Sequence, residues 1–222
     1  MILKAEKITR QYIRQSRNKN VFMAVKETDF TLEGGQLVEI TGRSGSGKST
    51  FLNMLAGLLA PSSGHIFVDD TDIYAMEDKE RSRFRNLNMG VIPQGQTGLQ
   101  SLTVLENVLI PCKMYGDEGK EEYARKLLDY VGIGELKNAY PNELSGGELR
   151  RMSIARALIQ SPKILFADEP TGDLDDENTR SVLRLLRKTA DDGCAVLLVT
   201  HEREAAEYAD KVYRMNDGVL TM

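Results

Sequence analysis

The chain reads Gly42-Arg43-Ser44-Gly45-Ser46-Gly47-Lys48-Ser49 near the end of its first quarter. This run fits the pattern G-x-x-x-x-G-K-[ST], in which the backbone N–H groups of a glycine-rich turn converge on phosphate groups. In that pattern Lys48 reaches the β- and γ-phosphates, and the hydroxyl of Ser49 binds Mg²⁺. The flanking apolar runs predict a buried strand before the turn and a helix, opening at Thr50, after it. A merely flexible turn has no use for the Lys-Ser pair, so the sequence predicts a nucleoside triphosphate site.

The composition limits the class of protein. The 222 residues suggest one domain, and 41% hydrophobic with 28% charged residues is typical of a soluble protein. The net charge of −4 argues against nucleic acid as the main partner, because nucleic-acid binders carry a basic footprint. Two distant cysteines, Cys112 and Cys194, fit a reducing compartment. Since no leader pattern and no apolar run of about 18 residues is present, we expect a cytoplasmic protein that needs a separate partner for any membrane role.

Apolar patterning divides the chain into alternating strands and helices. The predicted strands are Ile2–Ile8, Phe22–Leu32, Leu37–Thr41, His65–Val68, Met89–Pro93, Ile164–Asp168, Ala195–Thr200, Lys211–Met215 and Val219–Thr221. The predicted helices are Thr50–Leu59, Glu77–Asn86, Val104–Met114, Glu118–Val131, Gly146–Gln160, Glu177–Thr189 and Glu202–Ala209. This alternation is typical of an α/β fold with a mostly parallel sheet covered on both faces, preceded here by strands of antiparallel character.

The interval from about 94 to 163 has helical patterns and no convincing strand. We therefore expect a single domain over 1–222, with an α/β core from 1–93 and 164–222 and an inserted helical subdomain between them. The basic segment Arg10–Asn20 is predicted as a solvated loop, and contact with lipid head groups or acidic partner groups is the alternative.

Two adjacent carboxylates end a second apolar strand. The run Ile164–Pro170 places Asp168 and Glu169 where the strand stops, and ligands of open α/β sheets collect at the carboxyl ends of strands. Asp168 can hold Mg²⁺ there through a water. Glu169 is the next residue, so it should point differently and can face an attacking water. A solvent-exposed acidic strand end is the alternative, which the phosphate loop disfavours.

The segment Leu144–Glu148 predicts a helix start that contains two glycines. Ser145 and Glu148 form a capping box, which explains both residues. It does not explain Gly146 and Gly147, since a glycine costs about 1 kcal/mol of helix stability relative to alanine. Glycines permit a close approach to the backbone, and a phosphate fits because helix N-termini attract anions. The phosphate loop already holds its own nucleotide, so this second anion site is either redundant or meant for another subunit's nucleotide.

Together these segments resemble the ATP-binding subunit of an ABC transporter over nearly the full chain. The phosphate loop, the LSGG signature at Leu144–Gly147 and the run Ile164–Pro170 occur in that family's order and approximate spacing, and the signature is the most diagnostic. The resemblance implies a P-loop NTPase core of the RecA-like type, an N-terminal antiparallel β subdomain and an inserted helical subdomain. The signature continues with Glu148 where glutamine is common, and this carboxylate would oppose a phosphate unless it turns into the capping box.

The resemblance also assigns site residues. Gln94 resembles the glutamine that binds Mg²⁺ and water and senses the membrane partner. The run Gly172–Asp175 resembles the loop that crosses the dimer interface, and His201 resembles the histidine that contacts the γ-phosphate. Tyr12 falls where the family places an aromatic ring against adenine, with Phe22 as the other candidate.

The activity that the resemblance implies is hydrolysis of ATP with Mg²⁺. Two copies, or this chain and a paralogue, would sandwich each ATP between one phosphate loop and Ser145–Gly147 of the other chain. A separate transmembrane permease would hold the pair at the inner face of the membrane. Glu169 would polarise the water, while Lys48 and His201 would stabilise the transferred phosphoryl group. The run Glu169–Asp175 is similar to the form E-P-T-G-x-L-D of the branch for lipoprotein release and for macrolide and antimicrobial-peptide efflux, and of the related cell-division branch.

Other functions fit less well. An ATP-gated regulatory module, acting on a membrane or cell-wall partner without transport, is the main alternative. A soluble ATPase acting on ribosomes or DNA is disfavoured by the single cassette, the acidic balance and the lack of a heptad run. A GTPase is disfavoured because the sequence contains no N-K-x-D pattern.

Overall fold

The computed structural model describes residues 1–14, 20–95, 98–117, 119–172 and 174–222. Its strands are β1 Ile2–Arg14, β2 Asn20–Glu33, β3 Leu37–Thr41, β4 Ser63–Val68, β5 Thr71–Asp72, β6 Met89–Ile92, β7 Ile164–Asp168, β8 Ala195–Val199, β9 Lys211–Asn216 and β10 Val219–Thr221. Its α-helices are α1 Lys48–Leu55, α2 Asp78–Asn88, α3 Val104–Lys113, α4 Glu121–Tyr130, α5 Gly146–Leu158 and α6 Asp176–Asp191. Short 3₁₀ segments lie at Gly134–Leu136, Pro141–Glu143 and Arg203–Glu207. Within these ranges no helix has the length and apolar character needed to cross a bilayer.

The described strands form two sheets. One is antiparallel, in the order β2-β1-β4-β5. The other has the order β10-β9-β3-β8-β7-β6 and is parallel from β9 to β6, with β10 antiparallel at its edge. The predicted α/β class is confirmed, because parallel strands alternate with helices as the pattern requires.

Each face of the larger sheet packs into its own apolar cluster. Val38 and Ile40 of β3 pack with Phe51 of α1 and with the antiparallel sheet. Leu37 and Leu198 lie in the second cluster, which is shared with helices α3 to α6. Strands β7 and β8 are buried along their whole length, which is why they read as continuous apolar runs. The carboxyl ends of β3, β7 and β8 therefore meet at one edge of the sheet, and the loops that follow them carry the candidate site.

The prediction of a loop over Arg10–Asn20 is wrong at both ends. Strand β1 continues to Arg14, and β2 begins at Asn20. Tyr12 pairs with Phe22 in the ladder between them. Pairing of the backbone groups across this ribbon satisfies them without help from side-chain burial, so polar and exposed positions remain extended. Residues 15–19, with the predicted basic side chains Arg17 and Lys19, lie outside the described residues.

The predicted helix over Glu202–Ala209 is also wrong, since this stretch forms only the 3₁₀ segment Arg203–Glu207. The N–H of Tyr208 donates to the carbonyl of Ala205 at 3.0 Å, an i→i+3 bond, and the N–H of Asp210 already donates to the carbonyl of Leu37 at 2.8 Å, just before β9. Helix α1 ends four residues earlier than predicted, because Gly57 at φ +69° terminates it.

Most other predicted boundaries agree with the structure to within three residues, and β5 was not predicted. Glu118 and Asp173, which the sequence placed in a helix and in the interface loop, lie outside the described residues. The division of the domain at about 94 and 163 stays a prediction.

Candidate functional site

The turn between β3 and α1 is built on two glycines. Gly42 has φ +152° and Gly47 has φ +109°. A Cβ atom on Gly42 would lie 2.3 Å from the backbone oxygen of Met215, and one on Gly47 would lie 2.2 Å from that of Ala24. The loop is therefore pressed against β9 and β2 on one side. At Gly45 a Cβ would meet nothing within 4 Å, so the other side is open to a ligand.

Lys48 lies inside this loop. Its side chain is largely buried, and its Nζ donates to the carbonyl oxygens of Gly42 at 2.8 Å and Arg43 at 3.2 Å. The hydroxyl of Ser46 is buried and has no hydrogen-bond partner in the part of the chain that the structure describes. A buried ammonium and an unpaired hydroxyl within a glycine-rich turn fit an anion at this place.

Asp168 ends β7 beside the phosphate loop, where its Oδ1 accepts the hydroxyl proton of Ser49 at 3.2 Å. Burial raises the pKa of Asp168 above its ordinary value, and the bond from Ser49 acts in the opposite direction. The described residues contain no group of three or more His, Cys, Asp and Glu side chains that could hold a metal. One carboxylate and one hydroxyl fit Mg²⁺, which binds proteins through few ligands and takes the rest from water and phosphate. Gln94 lines the cavity beside them.

Glu169 points away from Asp168 and contacts His201. Its Oε2 lies 2.8 Å from Nδ1 of His201 and accepts the backbone N–H of the same residue at 3.3 Å. An ionised carboxylate can only accept, so Nδ1 carries the proton in this contact. The sequence placed both residues at the site but did not predict that they touch. The contact holds the carboxylate of Glu169 in the wall of the cavity.

These segments and the β1–β2 hairpin surround a cavity of about 880 Å³. The predicted site residues that line it are Tyr12, Gly42, Arg43, Ser44, Gly45, Gly47, Lys48, Ser49, Thr50, Gln94, Gly146, Glu169 and His201. Ser46 and Asp168 are buried next to residues of this lining, whereas Ser145 and Gly147 belong to the start of α5. Phe22 also lines the cavity, directly across the ladder from Tyr12, so both candidate aromatic rings face the same space.

At the start of α5, a contact within the chain explains the glycine at position 147. A Cβ on Gly147 would lie 3.0 Å from Oδ1 of Asn178 in α6. Asn178 is held in turn by Asp175, which caps α6, and by Arg151. The close approach that the sequence indicated at Gly147 is therefore made by a side chain of the same molecule. A part for Ser145, Gly146 and Gly147 in phosphate binding stays a prediction.

Arg150 is a residue of the site that the sequence analysis missed. It is buried, lines the cavity, and its Nη1 donates to the carbonyl of Pro93 at 2.9 Å. The contact ties α5 to the loop that carries Gln94. The available signal was a charged residue between the apolar positions Leu149 and Met152 on a helix face predicted to be buried.

The sequence matches the family described as ABC transporter over residues 25–172. It is 43% identical over 187 residues to the lipoprotein-releasing system ATP-binding protein LolD of Bdellovibrio bacteriovorus, covering 83% of this chain and 85% of that protein. It is 37% identical over 198 residues to the macrolide export ATP-binding/permease protein MacB of a Shewanella species, covering 88% of this chain and 31% of that protein. The fold is similar to the dimeric structure of a post-hydrolysis state of the ATP-binding cassette MJ0796 bound to ADP and Pi, with a TM-score of 0.86, 30% identity, and coverage of 97% of this chain and 95% of that chain.

Proposed function

Because the chain belongs to the ABC transporter family and is an ATPase of that family, we propose that it is the motor subunit of an exporter. Two copies, or this chain and a paralogue, hold two ATP molecules between them. A separate membrane permease converts the closing and opening of this pair into movement of cargo. The observation that carries the proposal is the cavity of about 880 Å³, around which the phosphate loop, Glu169 and His201 converge. The dimeric MJ0796 cassette with ADP and Pi supports the pairing.

The phosphate loop binds the triphosphate of ATP. Backbone N–H groups of the turn and the N-terminus of α1 face the phosphates, and Lys48 exchanges its two carbonyl partners for phosphate oxygens. Ser49, Asp168 and Gln94 would hold Mg²⁺, which neutralises phosphate charge when it is bound. The buried hydroxyl of Ser46 gains a partner when an anion fills the loop.

Glu169 is the general base of the hydrolysis. Its carboxylate, held at the cavity wall by His201, orients a water and accepts its proton as the water attacks the γ-phosphorus. Lys48 and His201 stabilise the charge on the transferred phosphoryl oxygens. Asp168 stays apart from this step, since its oxygen is bonded to Ser49.

The second face of each site comes from the other subunit. Ser145, Gly146 and Gly147 of that subunit contribute N–H and O–H donors to the γ-phosphate, so ATP is bound more tightly by the closed pair than by either subunit alone. Hydrolysis removes the bridging γ-phosphate, and the pair reopens.

An apolar groove beside this site is the proposed seat of the permease. The groove has a volume of about 450 Å³ and lies between α2 and α3, with Leu58, Leu99, Met114 and Tyr115 among the residues of its walls. These four large side chains are exposed, and contiguous exposed apolar surface marks an interaction site. Its occupant is a cytoplasmic segment of the permease, because Leu99 in the groove wall lies close in the chain to Gln94 in the wall of the ATP cavity.

Residues close together in the chain line both the groove and the ATP cavity. Gln94 lines the ATP cavity and Leu99 lines the groove. The buried side chain of Asn107 in α3 holds Leu99 in place. It accepts from the N–H of Leu99 at 2.8 Å and donates to its carbonyl at 3.1 Å. A displacement of α3 by the permease would therefore move Leu99, which is close to Gln94 in the chain.

The proposed cargo class is lipoproteins, peptides or drugs moved outward. The similarity to LolD and MacB and the run Glu169–Asp175 support this class. The protein would then work at the cytoplasmic face of the membrane, held there by its permease.

The test of this function is Glu169→Gln. Loss of a general base lowers a rate by about 10²–10⁴-fold, so we expect ATP binding to persist, turnover to nearly stop, and a closed ATP-bound dimer to accumulate. ATPase assays and analytical ultracentrifugation measure these effects. The matched control is Glu177→Gln, which changes an exposed glutamate in the first turn of α6 and should leave both properties unaltered.

Near wild-type hydrolysis by Glu169→Gln would remove Glu169 from the catalytic role. Transport itself needs reconstitution with the permease in vesicles. Cargo movement that stops in the Glu169→Gln pair supports a motor, whereas a permease that responds fully to ATP binding without hydrolysis supports the regulatory module instead.

A further inference from the structure

The donors of Ser145, which caps α5, are already occupied within the chain. The backbone N–H and the hydroxyl of Ser145 both donate to Oε2 of Glu148, each at 2.8 Å. The N–H of Glu148 donates back to the hydroxyl oxygen of Ser145 at 3.4 Å. Ser145 is one of the three residues, with Gly146 and Gly147, whose donors the proposed function assigns to the γ-phosphate held by the other subunit. A phosphate that binds Ser145 must therefore displace the carboxylate of Glu148.

The carboxylate of Glu148 also repels an anion that approaches Ser145. The two bonds from Ser145, helped by the nearby charge of Arg151, hold the pKa of Glu148 below its ordinary value. The side chain is therefore ionised at neutral pH. Its negative charge lies in the first turn of α5, where the helix N-terminus would otherwise favour phosphate.

The chain contains a second capping box of the same geometry. At the start of α3 the N–H and the hydroxyl of Thr103 donate to Oε2 of Glu106, at 2.8 and 3.0 Å. The N–H of Glu106 donates back to Thr103 at 3.3 Å. Bonds from Thr103 lower the pKa of Glu106 as well. The box is therefore a general device for starting a helix, and only its position at the proposed phosphate contact makes the one on α5 different.

We propose that Glu148 competes with the γ-phosphate for Ser145 and so sets the ease with which two subunits close on ATP. This inference rests on the proposed function, because it needs Ser145 to face a nucleotide of the other subunit. Bonds to a charged acceptor are about twice as strong as bonds to a neutral one. A glutamine at this position keeps the acceptor oxygen but loses the charge, so it releases Ser145 more readily and repels the phosphate less.

The test compares single changes added to Glu169→Gln, the background expected to accumulate the closed dimer. ATP-dependent dimerisation is measured by analytical ultracentrifugation over a range of protein concentrations, with ADP in parallel. We expect Glu148→Gln to form the dimer at roughly fivefold lower protein concentration with ATP, with no change in ADP. Glu106→Gln removes an equivalent carboxylate from an equivalent helix start and should leave dimerisation unaltered. Thermal unfolding should show that both variants lose a similar, small amount of stability.

The outcomes separate the inference from the function on which it rests. If Ser145→Ala weakens the ATP-dependent dimer while Glu148→Gln leaves it unaltered or weakens it, competition by Glu148 is wrong and the shared site stands. Equal strengthening by Glu148→Gln and Glu106→Gln also overturns the competition, since it would reflect helix capping alone. If Ser145→Ala leaves dimerisation intact, the contact to the other subunit's nucleotide fails, and the inference fails with it.

Discussion

Glu169 has a left-handed backbone conformation, which is uncommon for a residue with a Cβ. Its φ of +47° lies in the left-handed region, which costs a residue with a Cβ of order 1–3 kcal/mol. Two backbone bonds hold it there, from its N–H to Val199 at 2.8 Å and from Gly172 to its carbonyl at 3.2 Å. The turn directs its carboxylate to His201 while Asp168 remains bonded to Ser49. Two neighbouring acids can therefore serve different parts of one reaction.

A second feature at this scale is the ring of Tyr12, which we expect to stack on adenine. The guanidinium carbon of Arg10 lies 4.8 Å from the ring centroid, so one face is supported and the ring also lines the cavity. Base–aromatic stacking is worth roughly 1–3 kcal/mol. Tyr12→Ala should therefore weaken ATP binding about 5- to 150-fold, with binding of inorganic tripolyphosphate unchanged, as measured by isothermal titration calorimetry.

The comparison variants are Ile13→Ala and Phe22→Ala. Ile13 is the next residue of β1 and is exposed, so its removal should not affect ATP affinity. If Phe22→Ala carries the whole loss while Tyr12→Ala carries none, the stacking ring is Phe22, which faces the same cavity from the opposite strand.

At the scale of the element, β3 carries an acid in the centre of the sheet. Glu39 pairs with Leu198 of β8 and Val212 of β9, and it is completely buried. Neither of its side-chain oxygens has a hydrogen-bond partner in the described ranges. Burial raises the pKa of Glu39 from 4.5 to about 7. Ionisation of Glu39, in the strand that leads into the phosphate loop, therefore destabilises the folded protein.

This acid predicts a pH dependence of stability. The folded protein holds the proton of Glu39 more tightly than the unfolded chain, so stability falls as pH rises from 4.5 to about 7 and then levels off. At pH 8 the free energy of unfolding is therefore about 3 kcal/mol lower than it would be if Glu39 kept its proton. Glu39→Met, of similar size, should raise the free energy of unfolding at pH 8 by this order and flatten the dependence, as measured by urea unfolding at several pH values.

The control for this prediction is Glu27→Met, because Glu27 is an exposed glutamate of strand β2. It should alter neither the stability at pH 8 nor its change with pH. Equal stability of wild type and Glu39→Met at pH 8 would show that Glu39 finds a partner or water in solution.

At the scale of the whole molecule, the proposed permease groove and the ATP cavity are lined by residues that lie close together in the chain, Leu99 and Gln94. A charge placed in the groove should therefore act on the permease and not on the chemistry. Met114→Glu adds a carboxylate at a side chain that is 69% exposed. We expect basal ATPase activity of the purified subunit to persist, while stimulation by the permease falls at least about tenfold, since an unpaired charge buried in an interface costs more than 1.4 kcal/mol.

The matched variant is Met222→Glu, at a methionine that is 81% exposed and does not line the groove. It should retain full stimulation. Loss of stimulation in Met222→Glu, or full stimulation in Met114→Glu, would place the permease elsewhere on the surface.

The sequence alone was sufficient where a signal is local. The phosphate loop and the run Ile164–Pro170 are patterns of adjacent residues, and their strand–turn–helix and strand-end settings follow from flanking apolar runs. The start of α5 was predicted at the correct residue, because the capping residue Ser145 and Glu148 lie three positions apart. The start of α3 at Val104 was predicted from its apolar pattern alone. The prediction failed where apolar patterning gives no signal: over Arg10–Asn20, where β1 and β2 pair although most side chains are polar, and over Glu202–Ala209, which forms only a 3₁₀ segment.

Only the tertiary structure decided which distant side chains meet. Arg150 reaches the carbonyl of Pro93 across 57 positions, and His201 reaches Glu169 across 32. Gly147 of the signature lies against Asn178, a contact that cannot be inferred from the spacing of residues in the sequence. The physical reason is that chain spacing determines which residues share a turn or strand, whereas sheet order and helix packing determine which turns and strand ends become neighbours.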